Sequence, residues 1–137
     1  MMKMQIIKAL MIILSLVLFY CLYDDYMSSE RGDNNMKRLF ISQPMRDKTD
    51  EQILAEREKA IKEARELIGE DVEVIHSFFK EAPHDAKPLW YLAKSLELLA
   101  TADVAYFCTG WELYRGCKIE HTCAVEYCID RIEPKKG

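Results

Sequence analysis

The sequence predicts an α/β fold: a small flavodoxin-like, three-layer α/β/α domain with a parallel sheet, preceded by an N-terminal apolar helix. Three observations carry this reading. From Met36 onward, short apolar runs of strand length alternate with longer segments of helical apolar spacing, the pattern of βαβ units. Polar loops follow the short runs, where a parallel sheet opens its ligand crevice. Residues 9–23, ALMIILSLVLFYCLY, carry no charge and stand apart from the alternation.

Bulk composition narrows the function classes. A chain of 137 residues can bury one real core but not two. Apolar residues make up 50% and charged residues 31%, a globular balance rather than a disordered one. The net charge of −4, with no basic stripe, argues against a nucleic-acid polymer as partner. A small phosphorylated ligand stays compatible, because a few local donors suffice for one phosphate. The five cysteines are odd in number and form no CxxC pair, so a disulfide framework is not expected and the thiols read as reduced.

The chain divides into an apolar segment over 1–26, a polar linker over 27–35 and a domain over 36–133. Lys3 and Lys8 precede the apolar run, and Asp24 and Asp25 follow it. Extended back over Met4–Lys8, it reaches the roughly 20 residues that a bilayer needs. No small-x-small cleavage site follows, which favours a signal-anchor over a cleaved signal peptide. Such an anchor makes the protein single-pass, with its N-terminus in the cytoplasm. The competing reading starts translation at Met36, since MKRLFIS has the form of a first strand opening a cytosolic domain. The upstream residues are then a mis-extension, and the protein is cytoplasmic with no membrane partner. Both readings stand.

Within the domain, Arg38–Ser42 is the first strand. Thr49-Asp50-Glu51-Gln52 is a capping-box pattern that starts a helix. Ile53, Ala60, Ile61, Ala64, Leu67 and Ile68 recur on its apolar face, with Glu56 and Arg57 assigned to the polar face. Gly69 stops it. Val72–His76 is the second strand, and Pro88 opens the second helix at its first position. That helix, Leu89–Ala100, is apolar on more than one face, which suits a sheet on one side and a second copy of the chain on the other. A homo-oligomer is therefore expected. Asp103–Cys108 is the third strand and Gly116–Cys128 the third helix, with Ile129–Glu133 as a short last strand.

Three groups fall at the carboxyl edge of the sheet. Ser42, Gln43, Met45 and Arg46 precede a helix N-terminus, an arrangement suited to an anion, although an ordinary capped loop has the same residues. His76, Ser77, Phe78 and Phe79, then His84 and Asp85, offer aromatic walls and polar contacts, against a reading as core and surface. Trp111 and Tyr114 follow the third strand, where a base can stack, although Trp111 also suits a hydrophobic plug. Gly110 and Gly116 permit tight turns and close approach of backbone to ligand. Glu120, placed in the first turn of the last helix, is held ionised by the helix dipole and points at whatever binds. Cys117 and His121 are four apart and can share a helix face, as a thiol–imidazole pair or two metal ligands. No third or fourth ligand accompanies them, so no metal is expected. Cys108, Cys123 and Cys128 read as small buried apolar residues.

The blocks ISQPMRDKTDEQI, EVIHSFF, PLWYLAKSLELLATADVAYF and GWELYRGCKIEH resemble an uncharacterised bacterial and phage domain family. That family is similar to the nucleoside 2-deoxyribosyltransferases and the deoxynucleoside monophosphate N-glycosidases. The resemblance covers Met36 to about Arg131. Gly116-Cys117, Glu120 and Ala124 fit the small-x-x-Glu-x-x-x-Ala pattern of those enzymes, which implies that Glu120 is the catalytic nucleophile. It further implies a nucleoside or nucleotide substrate and no cofactor. Ser42 and Arg46 match the loop that helps to hold substrate, with Gln43, Ser77, Trp111, Tyr114 and Gly116 as further substrate contacts. Asp103 matches an aspartate that opens the preceding strand. Two positions depart from the pattern: Tyr114 stands where the transferases carry a base-contacting aspartate, and Thr122 replaces a glycine. These departures weigh against base exchange more than against glycosidic cleavage. The alternative is a nucleotide-binding or sensing module without chemistry, membrane-tethered if residues 9–23 form an anchor, and a third reading is a membrane-tethered interaction domain.

Overall fold

The computed structural model describes residues 2–30 and 36–134, with side chains of residues 24–30 outside that description. The chain forms two compact units, Met1–Asn35 and Met36–Gly137.

The first unit is the helix α1, Met2–Glu30. Its apolar stretch Met2–Tyr23 is 22 residues long, about 33 Å at the helical rise. By length and composition it can cross a bilayer, and an N-terminal signal sequence meets the same test. Helix persists through Glu30, so the first four residues of the expected linker, MSSE, are helical. Residues 31–35 of that linker lie outside the described residues.

The second unit is a four-stranded parallel sheet made of β1 (Lys37–Ser42), β2 (Val72–Val74), β3 (Val104–Phe107) and β4 (Asp130–Ile132). The strand order β2-β1-β3-β4 is that of a flavodoxin-like sheet. Leu39 pairs with Val74 on one side and with Val104 on the other, so β1 is central. Asp103 reinforces the start of the β1–β3 pair: its carboxylate accepts from the Arg38 N–H at 2.8 Å, and its own N–H donates to the Arg38 carbonyl.

Helix α2 (Asp50–Ile68) covers one face and buries Leu39, Ile41, Val72, Val104 and Tyr106 beneath Ala60 and Ala64. Helices α3 (Pro88–Leu99) and α4 (Arg115–Glu126) supply Leu99 and Ala124 to the other face, over Phe40, Ala105 and Phe107. Alternate residues of β1 thus point to opposite layers. The expected capping box forms in full between Thr49 and Gln52, and Gly69 ends α2 in the left-handed conformation at φ 79°. Two residues depart from the expected faces of α2. Leu67 is 70% exposed, and Arg57 is buried at 7% because it lies on the stripe Ile53-Arg57-Ala60-Ala64.

Helix α4 ends earlier than Cys128. The Ile129 N–H reaches the Ala124 carbonyl and the Cys128 N–H reaches Val125, a Schellman closure. Cys128 occupies its left-handed position at φ 55°, where glycine is usual, and is exposed rather than buried. A β-carbon in that conformation costs about 1 kcal/mol. Cys128→Gly should therefore raise the melting temperature by several degrees; an unchanged or lowered value in a thermal melt refutes this.

Candidate functional site

The strand order reverses between β1 and β3, and there a crevice opens at the carboxyl ends of the strands. A cavity of about 590 Å³ occupies it, within the usual range for a small-molecule site. Its wall comes from the β1–α2 loop (Gln43, Pro44, Met45, Arg46), from Ser77 and Phe79 after β2, and from Pro88, Tyr91, Leu92 and Ser95 of α3. Tyr114, Gly116, Cys117 and Glu120 complete it at the start of α4.

Glu120 is the centre of the polar wall. It is 7% exposed, because Cys117, Glu120 and Ala124 form the stripe by which α4 packs on the sheet. Both carboxylate oxygens are held. The Ser42 hydroxyl, from the end of β1, donates to Oε2 in a short hydrogen bond. The Ser95 hydroxyl, from α3, donates to Oε1 at 2.5 Å. Among the described residues no lysine, arginine or histidine forms an ion pair with Glu120. Burial pushes its carboxyl above the ordinary range, and the two serine hydrogen bonds pull the other way. This corrects the expectation of a dipole-stabilised carboxylate in a first turn. Helix α4 starts at Arg115, so Glu120 is its sixth residue, beyond the first turn over which the dipole acts. Desolvation dominates instead.

The β1–α2 loop is placed at the cavity, but its donors are largely spent. Ser42 is 1% exposed, and its proton serves Glu120 rather than a bound anion. The Gln43 amide nitrogen donates to the Ile53 carbonyl and to Glu56, both at 2.9 Å. Glu56 also accepts from Lys48 at 2.6 Å, so one carboxylate ties both ends of the loop. Arg46 lines the cavity from an exposed position.

Ser77 lines the cavity through a relay that periodicity did not reveal. The Arg57 guanidinium donates to the Ser77 hydroxyl at 3.2 Å and to the Ile75 carbonyl at 3.3 Å. Ser77 in turn donates to the Ile41 carbonyl. This joins the ends of β1 and β2 through a buried charge whose pKa desolvation lowers. Of the other residues in this segment, Phe79 reaches the cavity wall, whereas His76, His84 and Asp85 are exposed.

Trp111 is not brought to the cavity. The 3₁₀ turn Trp111–Leu113 directs its ring onto His121, stacked at 3.9 Å between centroids, and against Phe107 at 5.6 Å. Tyr114 does line the cavity, and Phe79 and Tyr91 supply the other aromatic surfaces. Gly116 lies there in helical backbone with no positive φ, so it serves no tight turn. A β-carbon on it would meet open space, and its small size matters only to a ligand.

Cys117 and His121 do not act together. His121 contacts Glu133 at 2.5 Å and stacks on Trp111. Burial pushes the Cys117 thiol up to about 11, so it stays protonated at neutral pH and is a poor nucleophile. Cys108 is likewise pushed up to about 12 by burial. Among the described residues no group of three or more His, Cys, Asp and Glu side chains is placed to hold a metal ion.

Ser95 and Arg57 were the residues missed. Each carried a signal, a polar side chain at a position where helical spacing calls for an apolar one: Ser95 beside Leu92, Leu96 and Leu99, and Arg57 between Ile53 and Ala60. Comparison with family models, curated proteins and solved structures finds no match to the chain.

Proposed function

We propose that the protein cleaves the N-glycosidic bond of a 2-deoxynucleoside or its monophosphate, with Glu120 as nucleophile. The observation that carries this is the state of Glu120: a buried carboxylate in a cavity wall, held on both oxygens by serine hydroxyls, with no ion-pair partner among the described residues. Structural carboxylates are normally paired with a cation when buried. One held only by neutral donors keeps its negative charge available to a developing cation. The fit of Gly116-Cys117, Glu120 and Ala124 to the small-x-x-Glu-x-x-x-Ala pattern of the nucleoside 2-deoxyribosyltransferases and their N-glycosidase relatives gives the same role to the same residue.

In this reading a Glu120 oxygen attacks the anomeric carbon from the face opposite the base. The carbon–nitrogen bond breaks, its electron pair leaves on the base nitrogen, and the base takes up a proton from solvent, which regains one when water attacks in the next step. The oxocarbenium-like transition state is stabilised by the desolvated carboxylate. Water then attacks the glycosyl ester, releasing the sugar and regenerating Glu120. A second base in place of water gives transfer. Tyr91, Phe79 and Tyr114 offer faces for the base, and Arg46 is the cavity cation available to a phosphate.

Ser95 is a positioning residue in this scheme. Ser95→Ala should lower kcat roughly 10- to 100-fold with KM little changed. Its hydrogen bond lowers the Glu120 pKa, so its loss should also move the acid limb of the pH–rate profile upward. A downward shift or none would refute the assignment.

The test of the function itself is free-base release by the full-length chain, in a mild detergent, from a panel of deoxynucleosides and their monophosphates. No release under conditions where a nucleoside raises the melting temperature would overturn the catalytic reading. It would favour the second one, a nucleotide-binding or sensing module. One observation supports that alternative: among the described residues Glu120 is the only carboxylate lining the cavity, and no histidine accompanies it as a general acid. Self-association remains part of the proposal, supported by Leu89 and Tyr91 of α3 at 72% and 40% exposure.

A further inference from the structure

The Gln43 carboxamide is locked in one orientation. Its nitrogen donates to the Ile53 carbonyl and to a Glu56 oxygen, two acceptors that no amide oxygen could face. A flip is therefore excluded, and Oε1 must point away from both. Gln43 is 6% exposed and lines the cavity, and its Oε1 is buried with no hydrogen-bond partner. A buried acceptor left without a donor is unfavourable, and here it belongs to a side chain of the cavity wall.

The neighbouring polar groups do not supply the donor. The Ser42 and Ser95 protons go to Glu120, and the Ser77 proton goes to the Ile41 carbonyl. Ser42 faces the α3/α4 layer through Glu120, and Gln43, the next residue, reaches into the α2 layer. Gln43 and Glu120 nonetheless line the same cavity, so a ligand that fills it meets both residues.

We propose that Gln43 is a specificity-determining residue that accepts a hydrogen bond from a neutral N–H or O–H donor of the ligand. This rests on the glycosidic reading of the site. The chemistry has three sources in a deoxynucleoside: an exocyclic amino group of the base, a ring N–H of the base, or a hydroxyl of the sugar. Anionic groups are excluded at this position, because they offer no proton.

Binding is measured with full-length Glu120→Ala protein in mild detergent, which prevents turnover. The base arm compares 2′-deoxyadenosine with purine 2′-deoxyriboside, and 2′-deoxycytidine with 2-pyrimidinone 2′-deoxyriboside; each second member lacks only the amino group. The ring arm compares thymidine with 3-methylthymidine, and the sugar arm compares 2′-deoxyadenosine with 2′,3′-dideoxyadenosine and with 2′,5′-dideoxyadenosine. At least one pair should differ by about tenfold or more in Kd. That ratio should fall to about one when Gln43→Met is added. Because each ratio is taken within one protein, a general weakening by Gln43→Met cancels. Equal affinities within every pair, or a ratio that survives Gln43→Met, overturns the assignment and leaves Oε1 to an internal water. If no nucleoside binds at all, the glycosidic reading fails and this inference falls with it.

Discussion

If the protein cleaves nucleosides as proposed, Glu120→Ala and Glu120→Gln should reduce free-base release to background, a loss of roughly 10³-fold or more in kcat, while nucleoside binding should persist. The reason lies in what the site holds besides Glu120. The other polar groups lining it are serine, glutamine and tyrosine side chains, a buried thiol held protonated, and one arginine. None can replace a carboxylate as nucleophile toward an anomeric carbon at neutral pH. Gln preserves shape and the serine contacts, since one hydroxyl can go on donating to the amide oxygen while the other rotates to accept from the amide nitrogen. A loss shared by Ala and Gln therefore reports the missing charge and nucleophile rather than a collapsed wall. The measurement is initial-rate base release over the panel, beside thermal-shift binding of the same compounds. Turnover by Glu120→Ala within tenfold of wild type removes Glu120 from the chemistry, whatever the substrate.

The same residue should cost the fold stability. Its folded pKa lies above the ordinary value of 4.5, so the folded state holds the proton more tightly than the unfolded chain. Its favourable contribution is present in full below the ordinary carboxylate range. It is lost as pH rises from that range through the raised folded value. Gln carries no such penalty. The stability difference between Glu120→Gln and wild type should therefore grow with pH across that window and then level off, reaching about 1 kcal/mol or more in favour of the variant. Denaturant midpoints from pH 4 to pH 8 provide the check. Glu51 and Asp71, exposed carboxylates whose pKa values are lowered chiefly by backbone hydrogen bonds, titrate in the opposite sense. They act equally on both proteins and drop out of the difference. Parallel profiles would mean that Glu120 is not desolvated, and would weaken the argument that it is kept for function at a cost.

Much of the fold was legible in the residues themselves. Thr49 and Gln52 mark the start of α2, Gly69 its end and Pro88 the start of α3, because caps and breakers act within a few residues of their own backbone. Alternating strand and helix patterns led to the parallel sheet for the same local reason. The position of Glu120 after the third strand was enough to bring it to the carboxyl edge. What tertiary structure alone decided is how that carboxylate is held. Ser42 lies 78 residues from Glu120 and Ser95 lies 25 away; they meet because β1 is central and α3 and α4 pack on the same face of the sheet. Arg57 passed for a surface charge until α2 settled on the sheet with that side inward, and Trp111 passed for a base-stacking ring until His121 took its face. Hydroxyls, guanidinium groups and aromatic rings can satisfy themselves in water or in a core. Only the packing of distant elements determines which partner each one finds.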